Sequence, residues 1–196
     1  MKLIARIEAL FDEFGQGARG DPRHEPVSPL EHALQCAQLA ERSGAGDALV
    51  AAALLHDIGH FVPTVPDFER RDDIHHLRAV AYLAPAFGAE LIEPIRLHVE
   101  AKRYLVATDR SYATMLTSAS VQSLRRQGGP MSVDETWRFE GQPFCQEAIA
   151  LRRWDDAARQ PGQTTPSLRY YLGLLEGLRD RPLADSRVGV ESFSAA

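Results

Sequence analysis

Apolar residues recur at helical spacing along nearly the whole chain, and no pair of alternating runs joined by a hairpin turn interrupts them, so the pattern predicts an all-α fold. Leu3, Ile4, Ile7, Leu10 and Phe11 form one stripe on a first helix that Gly15 ends. Gln16 to Val27, with two Gly, two Pro and dense charge, reads as a loop and a candidate lid. Ser28-Pro29-Leu30-Glu31 is a capping box with Pro at the first helical position, so a helix is expected from there to about Ser43, with His32 in its first turns.

The next helix, Asp47 to about His56, is apolar almost all round, which marks it as central. It runs out into His56-Asp57-Ile58-Gly59-His60, and a loop through Pro63 to Pro66 follows. Further helices are expected at about 73–87, 89–105, 110–126, 132–139, 143–159 and 166–180, the last ones separated by Gly128-Gly129-Pro130 and Pro161-Gly162. Residues 1–181 are expected to make one domain, and the small, polar stretch 182–196 a loosely held tail.

At 196 residues and 44% hydrophobic content the chain can bury a proper core without a metal or a disulfide to hold it, so a metal site here serves chemistry rather than folding. The net charge of -5 argues against a basic nucleic-acid face. No apolar run approaches the length of a bilayer span, and Met1 to Leu10 mixes charge into its apolar positions, so neither membrane anchor nor signal peptide is expected. Cys36 and Cys145 lack CxxC or CxxH spacing, which fits a reducing cytoplasm. A monomer or small homo-oligomer is expected.

Seven histidines carry the candidate chemistry: His24, His32, His56, His60, His75, His76 and His98. His56-Asp57 closes the apolar helix, and burying that end puts an imidazole and a carboxylate in a low-dielectric interior, where coordination to a cation compensates the cost. That ligand pair suits iron, manganese or zinc. A plain helix C-cap accounts for His56 but leaves Asp57 at the unfavourable end of the dipole.

With His32 one helical hairpin upstream and Asp155 in Arg152-Arg153-Trp154-Asp155, the chain shows an H...HD...D set and resembles the HD-domain superfamily, an all-helical fold best known for metal-dependent phosphohydrolases. A mononuclear HD hydrolase needs only those four ligands, whereas His75 and His98, each on a later helix, would supply a second metal with Asp57 as the bridge. The resemblance narrows to the superfamily's mixed-valent di-iron oxygenases, and within them to the 2-amino-1-hydroxyethylphosphonate oxygenase group. Leu30 to Gln35, the HDIGH run, His98 to Leu105, Gln127 to Met131 and Arg152 to Asp155 carry it.

That resemblance implies two irons, Fe(II)/Fe(III), held by His32, His56, Asp57, His75, His98 and Asp155. His75 is preferred over His76 because the family has a His seven residues before Tyr-Leu, here Tyr82-Leu83. It also implies dioxygen as co-substrate and a small hydroxylated organophosphonate held by His60, Lys102, Ser120, Gln127 and Arg152, with Glu25 reading an amine and His56, Asp57 and Lys102 at the reacting centre. Lys102 lies one turn beyond His98 and Arg152 one turn before Asp155, so each cation shares a helix face with a ligand. One departure stands out: Pro22 occupies the family's lid Tyr position. Two other readings stay open, a phosphohydrolase of the same fold acting on a nucleotide or phosphomonoester, and a non-catalytic helical module.

Overall fold

The computed structural model describes residues 2–17, 26–63 and 74–180. Most of the expected lid over Gln16 to Val27, including Pro22 and Glu25, lies outside these residues, as do Thr64 to Pro66 of the following loop and the tail 182–196.

The described residues form helices α1 (Leu3–Phe14), α2 (Pro29–Arg42), α3 (Asp47–Leu55), α4 (His75–Leu83) and α5 (Ala89–Thr108). These are followed by α6 (Arg110–Met115), α7 (Ser118–Arg126), α8 (Val133–Glu140), α9 (Cys145–Ala157) and α10 (Leu168–Arg179), with a 3-10 turn at Ile58–His60 and no strand among the described residues. The all-α expectation therefore holds. The capping box forms as the sequence indicates: Glu31 N–H donates to Ser28 Oγ and Ser28 N–H to Glu31 Oε2.

One expected helix, 110–126, is two. Leu116 takes an extended backbone, and Thr117 then caps α7 by accepting from Ser120 N–H. Thr117 thus gives the chain a cap in place of continuous helix. The helix expected over 89–105 runs on to Thr108, where Asp109 caps α6 by accepting from the N–H groups of Ser111 and Tyr112. The helix expected over 73–87 is shorter, His75–Leu83.

Helix α3 is the centre of the molecule. Each residue from Val50 to Leu55 is buried, and its neighbours are α2, α5, α9 and α10. Its run of Ala51 to Ala53 lets those helices approach on every side, while Leu54 and Leu55 each contribute about 2–3 kcal/mol of burial. A smaller apolar cluster, Leu97, Ala101, Met131, Phe139, Cys145 and Ala148, joins the far half of α5 to α8 and α9.

Two buried amides tie α2 to the segment after α9. Gln35 donates to the Gln160 carbonyl at 2.8 Å and accepts from Gln160 N–H at 3.0 Å. One turn on, Gln38 donates to the Thr164 carbonyl and accepts from the Gln163 amide. This pairing sets α9 beside the start of α2, so that His32 and Asp155 face one another.

Candidate active site

Six side chains converge from five helices: His32 on α2, His56 and Asp57 at the end of α3, His75 opening α4, His98 on α5 and Asp155 on α9. His32 Nε2 lies 3.3 Å from Asp155 Oδ1, and His56 Nε2 lies 3.5 Å from Asp57 Oδ2 and 3.8 Å from Asp155 Oδ2. On the other side, His75 Nε2 is 3.2 Å from Asp57 Oδ1 and 3.1 Å from His98 Nε2. His56, His75, His98 and Asp155 are buried, whereas the Asp57 side chain is 38% exposed, so the cluster opens on the Asp57 side.

Backbone carbonyls fix the imidazoles. The Nδ1 atoms of His32, His56 and His98 lie 2.9, 2.9 and 2.7 Å from the carbonyl oxygens of Ala158, Ala53 and Ile95. A carbonyl can only accept, so Nδ1 carries the hydrogen and in the neutral ring each Nε2 keeps a bare lone pair turned inward. The consequence is plainest at His56, whose Nε2 is buried with no hydrogen-bond partner. An orphaned acceptor in the interior is costly, and a cation removes the cost. Four imidazoles and two carboxylates are a donor set that suits iron, manganese or zinc.

The donors divide in space. Ligand atoms of His32, Cys36 and His56 lie within 4.8 Å of one another, and so do those of Asp57, His75 and His98. Asp155 reaches the first group and Asp57, through its second oxygen, touches both. Burial raises the tendency of Asp155 to protonate, but the Arg152 guanidinium, with His32 and His56 beside it, holds its carboxyl well below the usual range. Burial, aided by His75 and His56, holds His98 well below its ordinary value and therefore neutral, the form that ligates.

Gly59 makes the convergence sterically feasible. A Cβ there would sit 1.9 Å from the His75 carbonyl oxygen and 2.9 Å from Ala79 N, so only glycine lets the 3-10 turn press onto α4 and bring His75 to Asp57. His60, at the end of that turn, stacks on the His75 ring at 4.2 Å and approaches Asp57 Oδ1 at 3.8 Å. His76 lies 5.9 Å from the His98 ring, centroid to centroid, and its Nδ1 is buried without a partner. Burial first, then the nearby His75 and Arg96, push it down to about 4.

Beside this cluster lies a group of buried polar side chains. Lys102, one turn beyond His98, is 3% exposed and donates to Ser123 Oγ at 2.7 Å. Burial, with Arg152 as the second cause, pushes its ammonium down to about 8. Ser123 donates in turn to the carbonyl of buried Ser120, and Gln127 presents a buried, unpartnered Oε1 at the end of α7. Arg152, also buried, pairs with Asp155 Oδ2 at 2.6 Å and with both oxygens of Asp156. Its charge is thus shared between two carboxylates, whereas Lys102 makes no ion pair among the described residues.

Four residues around the site escaped the sequence reading. Cys36 sits 3.6 Å from His32 Nε2, one helical turn further along α2, a spacing that places it on the same face. Ser123 is visible in the same way, three residues after Ser120. Asp156, one turn after Arg152 on α9, is visible by the same spacing, whereas Tyr112, which also contacts Arg152, carries no sequence signal that separates it from packing residues.

Comparison with known proteins agrees with this geometry. Residues 30–159 match the HD domain family. The chain is 46% identical over 170 residues to a hydroxymethylphosphonate dioxygenase of Gimesia maris, covering 85% of this chain and 84% of that protein. It is 36% identical over 184 residues, 91% of each chain, to a [1-hydroxy-2-(trimethylamino)ethyl]phosphonate dioxygenase (glycine-betaine-forming) of Leisingera caerulea. An uncharacterized protein of Acanthamoeba polyphaga mimivirus is 32% identical over 179 residues, 89% of this chain and 82% of its own. The chain belongs to the HD-domain family, in the branch that holds these phosphonate dioxygenases.

Proposed function

We propose that this chain is a dioxygen-dependent oxygenase that cleaves the carbon–phosphorus bond of a small hydroxylated organophosphonate and releases phosphate. One observation carries the reading: Asp57 stands between His56 of one donor group and His75 of the other, and Lys102, Ser120 and Arg152 are buried on neighbouring helices. Two relatives named as phosphonate dioxygenases favour it over hydrolysis.

In this reading His32, His56, Asp57, His75, His98 and Asp155 would hold two irons. When bound, they supply dioxygen activation and oxidation of the carbon that bears the hydroxyl. The protein's part is positioning. Lys102, Ser120, Arg152 and His60 bind the phosphonate oxygens, and the free Oε1 of Gln127 accepts from a substrate hydroxyl or a protonated phosphonate oxygen. Lys102 matters most electrostatically, because Arg152 is already balanced by Asp155 and Asp156. The buried walls limit water around the reacting carbon.

Residues 1–181 form the catalytic unit in this proposal, and Glu25 contacts a cationic substituent where the substrate has one. The proposed setting is a reducing cytoplasm, with the protein a monomer or small homo-oligomer and with neither nucleic acid nor membrane as partner. No helix among the described residues is long and apolar enough to cross a membrane.

The test is phosphate release from hydroxymethylphosphonate by iron-loaded protein with and without dioxygen. Release that stops under strict anaerobiosis, with about one phosphate per dioxygen consumed in air, is expected. Release that persists without oxygen supports the phosphohydrolase instead, and a chain that takes up no metal supports a non-catalytic module.

A further inference from the structure

Arg152 is gripped on three sides by protein. Its Nη1 pairs with Asp155 Oδ2 at 2.6 Å, its Nη2 with Asp156 Oδ1, and its Nε–H is shared between Asp156 Oδ2 at 2.9 Å and the Tyr112 hydroxyl oxygen at 3.1 Å. Tyr112, which is 2% exposed, completes a closed ring by donating its own hydroxyl hydrogen to Asp156 Oδ2 at 2.5 Å. Arginine carries five N–H groups in a rigid plane. Three of them are committed here, which leaves one on each terminal nitrogen.

Tyr112 comes from a separate element. Its helix, α6, starts where Asp109 stops α5, and Asp109 also accepts from Arg153 at 3.1 Å, binding the α6 start to α9. The chain thus places a short, capped helix against Arg152 and buries a phenol whose hydroxyl finds its partners in that guanidinium and its carboxylate. A buried Tyr hydroxyl needs hydrogen-bond partners, and here both belong to the Arg152–Asp156 pair.

We infer that Tyr112 and Asp156 are positioning residues that lock the plane of Arg152, so that its two uncommitted N–H groups form the anion-binding edge while its Nη1 stays on the ligand Asp155. The inference rests on the phosphonate reading above, for it assigns the anion as a phosphonate or phosphate. Asp156 and Tyr112 do not touch that anion; they act through Arg152. The same grip links anion binding to Asp155, since the guanidinium plane cannot turn toward one without moving against the other.

The test measures binding of methylphosphonate and of inorganic phosphate to iron-loaded protein by calorimetry, alongside KM and kcat for hydroxymethylphosphonate. Asp156→Asn keeps the shape but removes the charge, and about tenfold weaker binding is expected; Tyr112→Phe removes only the hydroxyl, and about threefold is expected. Both should raise KM more than they lower kcat. In an Arg152→Lys background, where the fork is gone, neither change should have a further effect.

Losses that persist undiminished in the Arg152→Lys background overturn the inference, as does wild-type affinity in both single variants or a wild-type protein that binds neither anion. Tyr112→Phe keeps the test decisive if Asp156→Asn does not fold. A protein that binds both anions in this pattern yet consumes no dioxygen would keep the inference and overturn the proposed oxygenase.

Discussion

Asp57 turns its two carboxylate oxygens to different imidazoles: Oδ2 lies 3.5 Å from His56 Nε2, and Oδ1 lies 3.2 Å from His75 Nε2. Burial by itself would push the carboxyl up, yet His56, His75 and His60 together hold it well below the usual carboxylate range. It is therefore an anion shared by both halves of the donor cluster. Asp57→Asn should reduce iron to well under one ion per chain, whereas His75→Ala or His98→Ala should leave about one, because only one donor group is broken. Elemental analysis of protein loaded with iron anaerobically checks this, and equal iron loss in all three variants would contradict the shared role.

Gly59 has no room for a side chain. Gly59→Ala drives a methyl group into the His75 backbone, and the 3-10 turn has to lift from α4. A destabilisation of about 3 kcal/mol is expected, or roughly 6–12 °C in thermal midpoint for a domain of this size. Differential scanning calorimetry measures it, and a variant as stable as wild type would show that the two segments are free to separate.

Lys102 places a function against stability. Its pKa falls from the ordinary 10.5 to about 8 on folding, so between those values the unfolded chain binds more protons than the folded one and stability rises with pH. Below about pH 8 both states are protonated and the whole cost of the buried ammonium is felt. Lys102→Met should therefore raise the thermal midpoint of the metal-free protein at pH 7 while abolishing phosphonate binding, and the gain over wild type should shrink steadily toward pH 10. A gain that is constant with pH would place its origin in packing rather than charge.

Gln35→Leu removes both hydrogen bonds to Gln160. A loss of about 1–3 kcal/mol is expected in chemical denaturation, with lower iron occupancy because α9 no longer holds Asp155 against His32. Loss of stability with full occupancy would separate the clamp from the site.

Much of this was readable in the chain because the relevant forces are local. The capping box at Ser28, the all-apolar α3 and the HDIGH run each declare themselves through neighbouring residues. The four-residue step from His98 to Lys102 and the three-residue step from Arg152 to Asp155 are likewise fixed by helix geometry, and Arg152 pairs with Asp155 across that step. The break at Leu116–Thr117 was missed because helical periodicity continues across it, and a single threonine cap decides the outcome. Gln35 and Tyr112 were missed because their partners are distant in sequence and their residue types are common elsewhere. That Arg152 is balanced by two carboxylates, one of them a neighbour of the other, emerges only when the guanidinium plane is seen.

The division of 110–126 into two helices has a mechanical consequence. His98 and Lys102 ride on one unbroken helix, about 6 Å apart along its axis, so their separation is set by α5 itself. Ser120 and Ser123 ride on α7, a nine-residue rod with Gln127 at its C-cap, which the extended Leu116 separates from α6. Homologues that accept longer or shorter phosphonates are expected to differ in the setting of that rod and to keep the spacing along α5.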